Sequence, residues 1–386
     1  MSGSFSGTLV WAGCPPVVWT CEATPAEAGR LQARVGLEGK GLLARAVLRY
    51  EPGTALATWT LEEAEIDLGV WFKPLLARLA PTWRDDDLQV RGRLLARSRG
   101  VRSDEGLSGT VALQWLDGAM DSASRSIDVT GIELRLQIDD LARPASPRGQ
   151  SLQFARAGVA GVEIKNGKCD FQIENGNRVR VASAVVETLG GRLSADPFSF
   201  TVSDQGVSSI KAQISAKEVA LAEVALFLPK VILEAHGKVS GGLGISWDPQ
   251  TGIALGVGSL RLDRLDAVEI RLFPQPGFLT DRVPETLSLL PAWTGALGRL
   301  LTVTNPARQV LRAIEMGELP LVVDELELRT QPNGDDLGRT ARVAMSARPK
   351  VPGVVESVSF EVNVSGPLDQ VLRIGMENSI SSITNK

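Results

Sequence analysis

The chain has 386 residues and a formal net charge of −4, and its 41 basic and 45 acidic residues are interspersed along the sequence rather than collected into runs. Nucleic-acid binding requires a concentrated basic surface, so the charge pattern excludes that class of function. A single His and a single Tyr leave few groups for acid–base chemistry near neutral pH, which argues against an enzyme.

The elements predicted at the start of the chain are strands and one short helix. The segment "LGVWFKPLLARL" (68–79) predicts a short amphipathic helix, and "GTVALQWLDG" (109–118) alternates apolar and polar residues as a half-buried strand does. Cys14 and Cys21 are near the N-terminus. A disulfide between them is an open alternative, and unpaired thiols are the favoured interpretation.

Alternation continues through the middle of the chain. The segment "IELRLQID" (132–139) has one apolar and one polar face. In "GVEIKNGKCDFQIENGNRVRV" (161–181), Asn166-Gly167 and Asn175-Gly176 separate alternating runs, and Asn-Gly suits the positive φ angles of a tight hairpin turn. Successive strands are therefore predicted to be antiparallel neighbours in a meander.

The last third of the chain combines strands with further helices. Strands are predicted in "SLRLDRLDAVEIRLF" (259–273), "LVVDELELRT" (321–330) and "SVSFEVNVSG" (357–366). Short apolar helices are predicted in 221–228 and in 284–301, where a proline interrupts the second. A better helix begins at Asn305, a good N-cap, has Pro306 at its first position and runs to Gly317.

A weak internal repeat indicates how these elements are organised. Segments 64–98 and 217–246 share the order of alternating strand, short apolar helix, proline, and then a strand with a glycine between basic or histidine neighbours, Gly92 or Gly237. Tandem units of this kind favour a stacked, elongated architecture. The predicted fold is mainly β: an elongated, curled antiparallel sheet of repeats, a β-groove, with a few short amphipathic helices.

Two regions are predicted within this fold. Residues 1–130 form an N-terminal β repeat region, and residues 131–386 form a C-terminal β-groove region that includes the helices near 284–316. The apolar stretches 219–233 and 288–303 are too short and too charged to span a membrane. The chain is therefore expected either to be soluble or to be the soluble part of a longer protein whose membrane anchor is missing.

Residues that usually carry chemistry are few and scattered. His236 is the only histidine and cannot supply a multi-histidine metal site. The acidic runs Asp85–Asp87 and Asp335–Asp336 favour solvated loops over a calcium site, because they lack the spaced oxygen ligands that calcium requires. No catalytic residue, metal or cofactor is predicted.

A resemblance to a known family rests on several stretches in a fixed order. They are "AVVETLGGRLSADPFSF" (184–200), "SAKEVALAEVALFLP" (215–229), "EAHGKVSGGLGISWDPQTGIALGVGSLRL" (234–262), "RLFPQPGFL" (271–279), "LRAIEMGELPLVVDELEL" (311–328) and "VESVSFEVNVSGPLDQVL" (355–372). Over roughly residues 130 to 386 this order resembles the C-terminal part of YdbH-like proteins of the bacterial AsmA-like superfamily. The resemblance implies phospholipid movement between inner and outer membranes of Gram-negative envelopes, along a hydrophobic groove of β-strands bridging the periplasm.

The resemblance and the alternation together predict which residues line the groove. Three strand regions contribute the predicted lining: Ile132, Leu134, Leu136 and Ile138; Leu260, Leu262, Ile270 and Leu272; and Val358, Phe360, Val362 and Val364. Two glycine pairs are expected to let the sheet bend or bulge and so to curve it: Gly190 and Gly191, and Gly241 and Gly242.

The predicted function is non-catalytic transfer of phospholipid acyl chains. The alternative is a structural or adhesion module of the cell envelope whose apolar faces are fully covered. The resemblance also implies a periplasmic location with an inner-membrane anchor that this chain lacks, and an outer-membrane lipoprotein partner that adds a strand at the C-terminal strand, 355–366. An edge covered by 377–386 or by the helix after Asn305 is the competing interpretation.

Overall fold

A computed structural model describes most of the chain. The residues that it describes are 2–11, 13–26, 30–79, 87–104, 106–124, 126–159, 162–174, 176–203, 206–225, 232–249, 252–263, 268–288, 302–331, 339–351 and 353–365. The chain divides into two compact units. Unit 1 is Met1–Glu187 with Ser194–Ile210, and unit 2 is Thr188–Leu193 with Lys211–Lys386. The predicted boundary at residue 130 stays a prediction.

The chain is built almost entirely from strands. In chain order the elements are β1 (Gly3–Leu9), β2 (Val17–Pro25), β3 (Leu31–Gly39), β4 (Leu42–Glu51), β5 (Leu56–Asp67), α1 (Leu68–Leu79), β6 (Gln89–Ser103), β7 (Gly106–Ser122), β8 (Ile127–Ile138), β9 (Gln150–Val159), β10 (Val162–Glu174), β11 (Arg178–Thr188), β12 (Gly191–Ala195), β13 (Phe198–Ser203), β14 (Gly206–Val207), β15 (Ile210–Ala220), α2 (Leu221–Ala225), β16 (Ile232–His236), β17 (Lys238–Asp248), β18 (Gly252–Leu262), β19 (Glu269–Leu272), β20 (Thr286–Ser288), β21 (Thr302–Thr304), α3 (Pro306–Glu315), β22 (Leu321–Thr330), β23 (Arg339–Pro349) and β24 (Val358–Ser365). Twenty-two of these strands belong to one antiparallel sheet, and β20 and β21 form a separate pair. The predicted mainly β, antiparallel fold with few helices is confirmed.

In unit 1 the strands β1 to β10 follow one another as an antiparallel meander, each paired with the next along the chain. This is the arrangement that short connections between alternating strands favour. In unit 2, β22 pairs with β18, β19 and β23, and β23 pairs with β24. The strand predictions at 109–118, 132–139, 321–330 and 357–366 coincide with β7, β8, β22 and β24.

The helix predictions are confirmed where local signals are strong. Residues 68–79 form α1 as predicted. Helix α3 begins after Asn305, whose side chain accepts a hydrogen bond from the Ala307 N–H at 3.1 Å, with Pro306 in the first position. Helix α2 covers Leu221–Ala225 of the predicted 221–228, whose last three residues lie outside the described part. No helix among the described residues is long and apolar enough to cross a membrane.

Two local predictions are wrong. Asn166-Gly167 does not form a hairpin turn but lies inside the continuous strand β10. Asn166 takes its positive φ of 50° within the strand, so Asn-Gly here marks a local irregularity rather than a chain reversal. Residues 286–288, predicted as helix, form β20 paired with β21, and 289–301 lie outside the described residues.

The internal repeat has a structural counterpart in each unit. In unit 1, α1 follows β5 and Gly92 of the next strand has φ +112°; in unit 2, α2 follows β15 and Gly237 has φ +113°. Gly41 of unit 1 and Gly190 of unit 2 are a second pair of equivalent glycines, since both lie in turns and both have a φ of +68°. These angles lie outside the region that other residues adopt easily, so glycine is required at equivalent positions.

The helices cover apolar side chains differently in the two units. In unit 2 a large cluster of buried residues joins α3 to the sheet. Ile314 of α3 and Leu321 of β22 belong to this cluster and are fully buried. In unit 1 a small cluster of Leu68, Leu88 and Val90 forms where α1 meets β6. Of the 25 buried hydrophobic residues among those described, nine lie in unit 1. Unit 1 therefore leaves much of its apolar surface accessible.

Candidate functional site

One face of the unit 1 sheet is apolar across ten consecutive strands. The strand register places its side chains in three rows that cross the strands, and we call these rows together the apolar face. Row one is Phe5, Cys21, Val35, Ala46, Leu61, Ser98, Val111 and Ile138; row two is Gly7, Trp19, Leu37, Ala44, Ala64, Ala96, Leu113 and Leu136; row three is Leu9, Val17, Gly39, Leu42, Ile66, Leu94, Trp115, Leu134, Leu152 and Cys169. Ser98 is the one polar residue in these rows.

The opposite face of the same strands is charged. Neighbouring positions carry cross-strand ion pairs, such as Arg93 with Glu65 at 3.7 Å and Arg45 with Glu63 at 4.0 Å. All four of these side chains are exposed by 40% or more. The charged face is therefore solvated, and the pairing of both signs leaves it without a strong field of either sign.

The side chains of the apolar face are half-buried rather than buried. Of the three rows, only Val17 and Ala64 fall among the buried residues, with exposures of 0% and 5%, while Phe5 at the edge is 58% exposed. A second sheet packed on this face would bury alternate residues of every strand. Among the described residues of unit 1, no second layer covers this face as a whole.

Helix α1 covers one margin of the apolar face. Its residues pack near Ile66, Leu94 and Trp115 of row three. The Trp71 Nε1 donates a hydrogen bond to the Lys40 carbonyl at 2.9 Å, which fastens the helix to the β3–β4 turn. Rows one and two lie farther along the strands from this contact, so their apolar side chains keep their accessibility.

The predicted lining residues divide between the two units. In β8, Leu134, Leu136 and Ile138 are half-buried members of the apolar face, while Ile132 is buried. The other predicted lining residues belong to unit 2. The three accessible residues of β8 are therefore brought together with apolar residues from nine other strands.

In unit 2 the remaining predicted lining residues join one cluster. Ile270, Leu272 and Val358 are buried in it, and Leu260, Leu262 and Phe360 pack against it half-buried. The cluster also contains residues of α3, which contacts β19. Val362 and Val364 belong to β24, and their side chains lie outside the described part.

A cleft in unit 2 lies beside this cluster. Its volume is about 750 Å³, and residues of β18, β22, β23 and β24 line it. Leu262 and Phe360 contribute apolar surface, whereas Arg261, Glu327 and Glu361 make part of the lining charged. The cleft therefore differs in chemistry from the apolar face of unit 1.

The predicted sheet-curving glycines lie at close approaches of the backbone. Gly190 is in the β11–β12 turn, and Gly191 begins β12, where a Cβ would come 2.6 Å from the Lys217 carbonyl oxygen. Gly241 and Gly242 are inside β17. A Cβ on Gly241 would overlap the backbone of β18. Glycine is thus needed for close packing at Gly191 and Gly241, and curvature stays a prediction.

The polar groups do not assemble a reactive site in the described part of the chain. The imidazole of His236 is 67% exposed and lies 3.3 Å from Glu234. No group of His, Cys, Asp or Glu among the described residues has the arrangement of a metal site. Cys14, Cys21 and Cys169 are free thiols. Hydrogen bonds to Asp87, the strongest of them from Ser124, lower the pKa of its carboxyl group to about 2. The Asp87 carboxylate therefore stabilises the turn at residues 123–124.

The predicted lining includes only a small part of the apolar face. The sequence predicts β1 to β7 only as a repeat region, although "VVWTCEATP" (17–25) and "LLARAVLRYE" (42–51) alternate with the same period as the predicted lining strands. Alternation marks the apolar side of a strand but does not distinguish a covered side from an open one. The register between strands supplies that information.

Comparison with known proteins gives one extensive match. The family model described as "YdbH-like: Intermembrane phospholipid transport protein YdbH" matches residues 17–261. This range includes β2 to β7, which precede the region from residue 130 onward where the sequence shows the resemblance, and it ends before the quoted stretches at 271–279, 311–328 and 355–372. The family is one of lipid transport proteins and not of enzymes.

A second similarity is short. A curated protein, the 2,3-bisphosphoglycerate-dependent phosphoglycerate mutase of Rhodococcus opacus (strain B4), is 32% identical over 107 residues, which are 27% of this chain and 41% of that protein. This chain thus spans about two fifths of the length of that relative, too little to carry its activity over. No solved structure matches the chain. Because the family model covers well over half of its residues, this chain belongs to the YdbH-like family of intermembrane phospholipid transport proteins.

Proposed function

We propose that the chain holds phospholipid acyl chains against the apolar face of unit 1 and passes them between the two membranes of the envelope without catalysis. The observation that carries this proposal is a face with two apolar rows over eight strands and a third row over ten, which no described second layer covers. A protein of this family has lipid as its cargo. An open apolar face of this size is expensive in water unless a ligand covers it.

The dimensions of the face suit acyl chains. Ten strands at about 4.8 Å spacing extend roughly 40 Å along the sheet. One acyl chain spans about half of the ~30 Å hydrocarbon core of a bilayer. Each buried methylene contributes about 0.8 kcal/mol, so partial cover of one chain stabilises a lipid outside the membrane. Because the rows repeat similar residues, neighbouring positions bind with similar energy and a lipid can slide between them.

Within this proposal Leu134, Leu136 and Ile138 contact lipid directly. In unit 2 the half-buried Leu260, Leu262 and Phe360 are accessible at the cluster's margin. The predicted contacts at Ile270, Leu272 and Val358 require a local rearrangement of unit 2, since these side chains are buried in its cluster. Val362 and Val364 complete the proposed lining on β24.

The test places one charge on each side of the sheet. Leu136→Asp puts a carboxylate into row two, while Gln114→Asp puts the same group on the exposed side of β7. We expect crosslinking to a phospholipid with a photoactivatable acyl chain to fall about tenfold for Leu136→Asp, because burying an unpaired charge against an acyl chain is costly. Gln114→Asp should crosslink like the parent protein. Equal crosslinking of both variants would contradict the proposal.

The alternative function is a structural or adhesion module with covered apolar faces. The buried cluster under α3 is the observation that favours it for unit 2. That alternative predicts purified protein without phospholipid. Native mass spectrometry of the protein extracted in mild detergent decides between the two, since a transfer protein retains lipid.

The proposal extends to location and partner. We place the protein in the periplasm, with an inner-membrane anchor in the full-length form, because its family works between membranes. Among the described residues the only strand that pairs with β24 is β23, so backbone groups on the other edge of β24 are available to an added strand. We propose an outer-membrane lipoprotein as the donor of that strand. A photocrosslinker at Asn363 should then capture a lipidated partner, and capture of none would exclude this edge.

A further inference from the structure

Three aromatic side chains on the apolar side of unit 1 lie opposite a glycine of the neighbouring strand. The pairs are Gly7 with Trp19 between β1 and β2, Trp59 with Gly100 between β5 and β6, and Gly167 with Phe154 between β9 and β10. Trp19 belongs to row two of the apolar face. Trp59 and Phe154 are each two residues along a strand from a row member, Leu61 and Leu152, and so point to the same side.

The ring of Trp59 lies over the neighbouring strand. Its Nε1 donates a hydrogen bond to the Ser98 Oγ at 3.1 Å. Along the same edge of the indole, Cζ2 and Cη2 lie over Gly100, two residues further along β6. Since Ser98 and Gly100 are on one face of one strand, this edge of the ring reaches both positions.

The other two rings occupy the same kind of place. A Cβ on Gly7 would lie 2.8 Å from Nε1 and 3.1 Å from Cε2 of Trp19. The three atoms nearest to a Cβ on Gly167 all belong to the ring of Phe154. In both pairs, therefore, the ring covers the space that any residue other than glycine would fill.

We infer that Gly7, Gly100 and Gly167 set the depth of the apolar face by letting three aromatic rings lean over the neighbouring strand instead of projecting away from the sheet, so that an acyl chain can cross them. This inference rests on the proposed function and deepens it. Side chains on one sheet face fill a layer roughly 5 Å deep, half of the ~10 Å between packed sheets. A ring that stands upright takes up the layer in which the acyl chain would lie.

The test adds one methyl group under a ring and then removes the ring. In Gly167→Ala the new Cβ forces Phe154 away from the sheet, and we expect crosslinking to the photoactivatable phospholipid to fall roughly tenfold, the usual scale of an overpacked contact. The double variant Gly167→Ala/Phe154→Ala should regain crosslinking. Gly53→Ala is the matched control, because a Cβ at this turn position meets no atom within 4 Å.

A second glycine variant distinguishes an effect of the ring position from an effect on folding. Gly7→Ala lies in β1, whose only partner among the described strands is β2, so we expect a local change there to leave the other strand pairs intact. We expect the same loss, and recovery with Trp19→Ala. Unchanged crosslinking in both glycine variants would overturn the inference, as would double variants that stay as low as the single ones. Failure of the parent protein to crosslink at all would instead refute the proposed function.

Discussion

The carboxylate of Glu315 shows how one buried residue can hold a loop. It lies at the end of α3 with 2% exposure and accepts hydrogen bonds from the Leu279 N–H at 2.9 Å, the Thr280 N–H at 3.2 Å and the Thr280 hydroxyl at 2.7 Å. Burial by itself raises the pKa of Glu315, but these bonds and one from Gly277 outweigh it and hold the pKa below its ordinary value of 4.5.

We expect Glu315→Ala to lower the free energy of unfolding by about 2–3 kcal/mol, because the four groups that donate to the buried carboxylate lose their acceptor. Glu315→Gln should cost less, since its amide oxygen still accepts. A folded-state pKa below the unfolded one means that the ionised carboxylate contributes stability above pH 4.5, and that this contribution is lost as the pH falls through the folded value. Urea unfolding of the three proteins should therefore show the largest difference at neutral pH and a shrinking one in acid. A difference independent of pH would contradict this role.

At the scale of elements, the two repeated glycines are the clearest case of a backbone requirement. Gly92 and Gly237 both follow a short helix, with φ of +112° and +113°. A Cβ on Gly92 would lie 2.7 Å from the Trp115 Nε1, and one on Gly237 would lie 2.5 Å from the Val268 Cγ2. Both the angle and the neighbouring side chain exclude a larger residue.

We expect Gly92→Ala and Gly237→Ala each to destabilise the protein by about 1–3 kcal/mol, the cost of a strained backbone angle. The measurement is the urea midpoint, followed by circular dichroism. Gly53→Ala serves as the control, since its position is open. If either variant unfolded at the parent midpoint, the glycine would not be required there and the equivalence of the two repeats would fail.

The elements also show what the sequence can predict. Asn305 and Pro306 identify the start of α3, because a cap and a fixed φ act locally. Asn166-Gly167 misleads for the opposite reason: its positive φ is real, but strand pairing with β9 decides whether the chain turns or continues. Whether the apolar side of a strand is buried also depends on tertiary contacts. The same alternation occurs in β8, whose apolar side is mostly half-buried, and in β22, whose apolar residues Leu321, Val323 and Leu326 are buried in the unit 2 cluster.

At the scale of the whole chain, charge and apolar surface are kept apart. The net charge is only −4, and the ions of the unit 1 sheet pair across strands on the side away from the apolar face. Such a sheet can bind acyl chains without selecting a headgroup by charge. If the proposed function is correct, we expect transfer of phospholipids with different headgroups, since the apolar face that would contact the acyl chains is uncharged.

Two cysteines allow the extent of lipid cover to be measured across unit 1. Cys21 is in row one on β2, and Cys169 is in row three on β10. Cys14 lies in the turn between β1 and β2, where its N–H donates to the Trp11 carbonyl, and it belongs to none of the rows. If acyl chains cover the apolar face from end to end, phospholipid should protect Cys21 and Cys169 from maleimide while Cys14 reacts as before.

The environment of the Cys169 thiol determines the pH at which its labelling should be measured. Burial, and then the charge of Asp170, raises the pKa of the Cys169 thiol, so its reactive thiolate forms only as the pH rises. Labelling of lipid-free protein at Cys169 should therefore accelerate toward alkaline pH, where protection by lipid is measured by peptide mass spectrometry. Protection of Cys21 alone would confine lipid to the first strands. Equal labelling of all three thiols with and without lipid would show that acyl chains do not lie on this face.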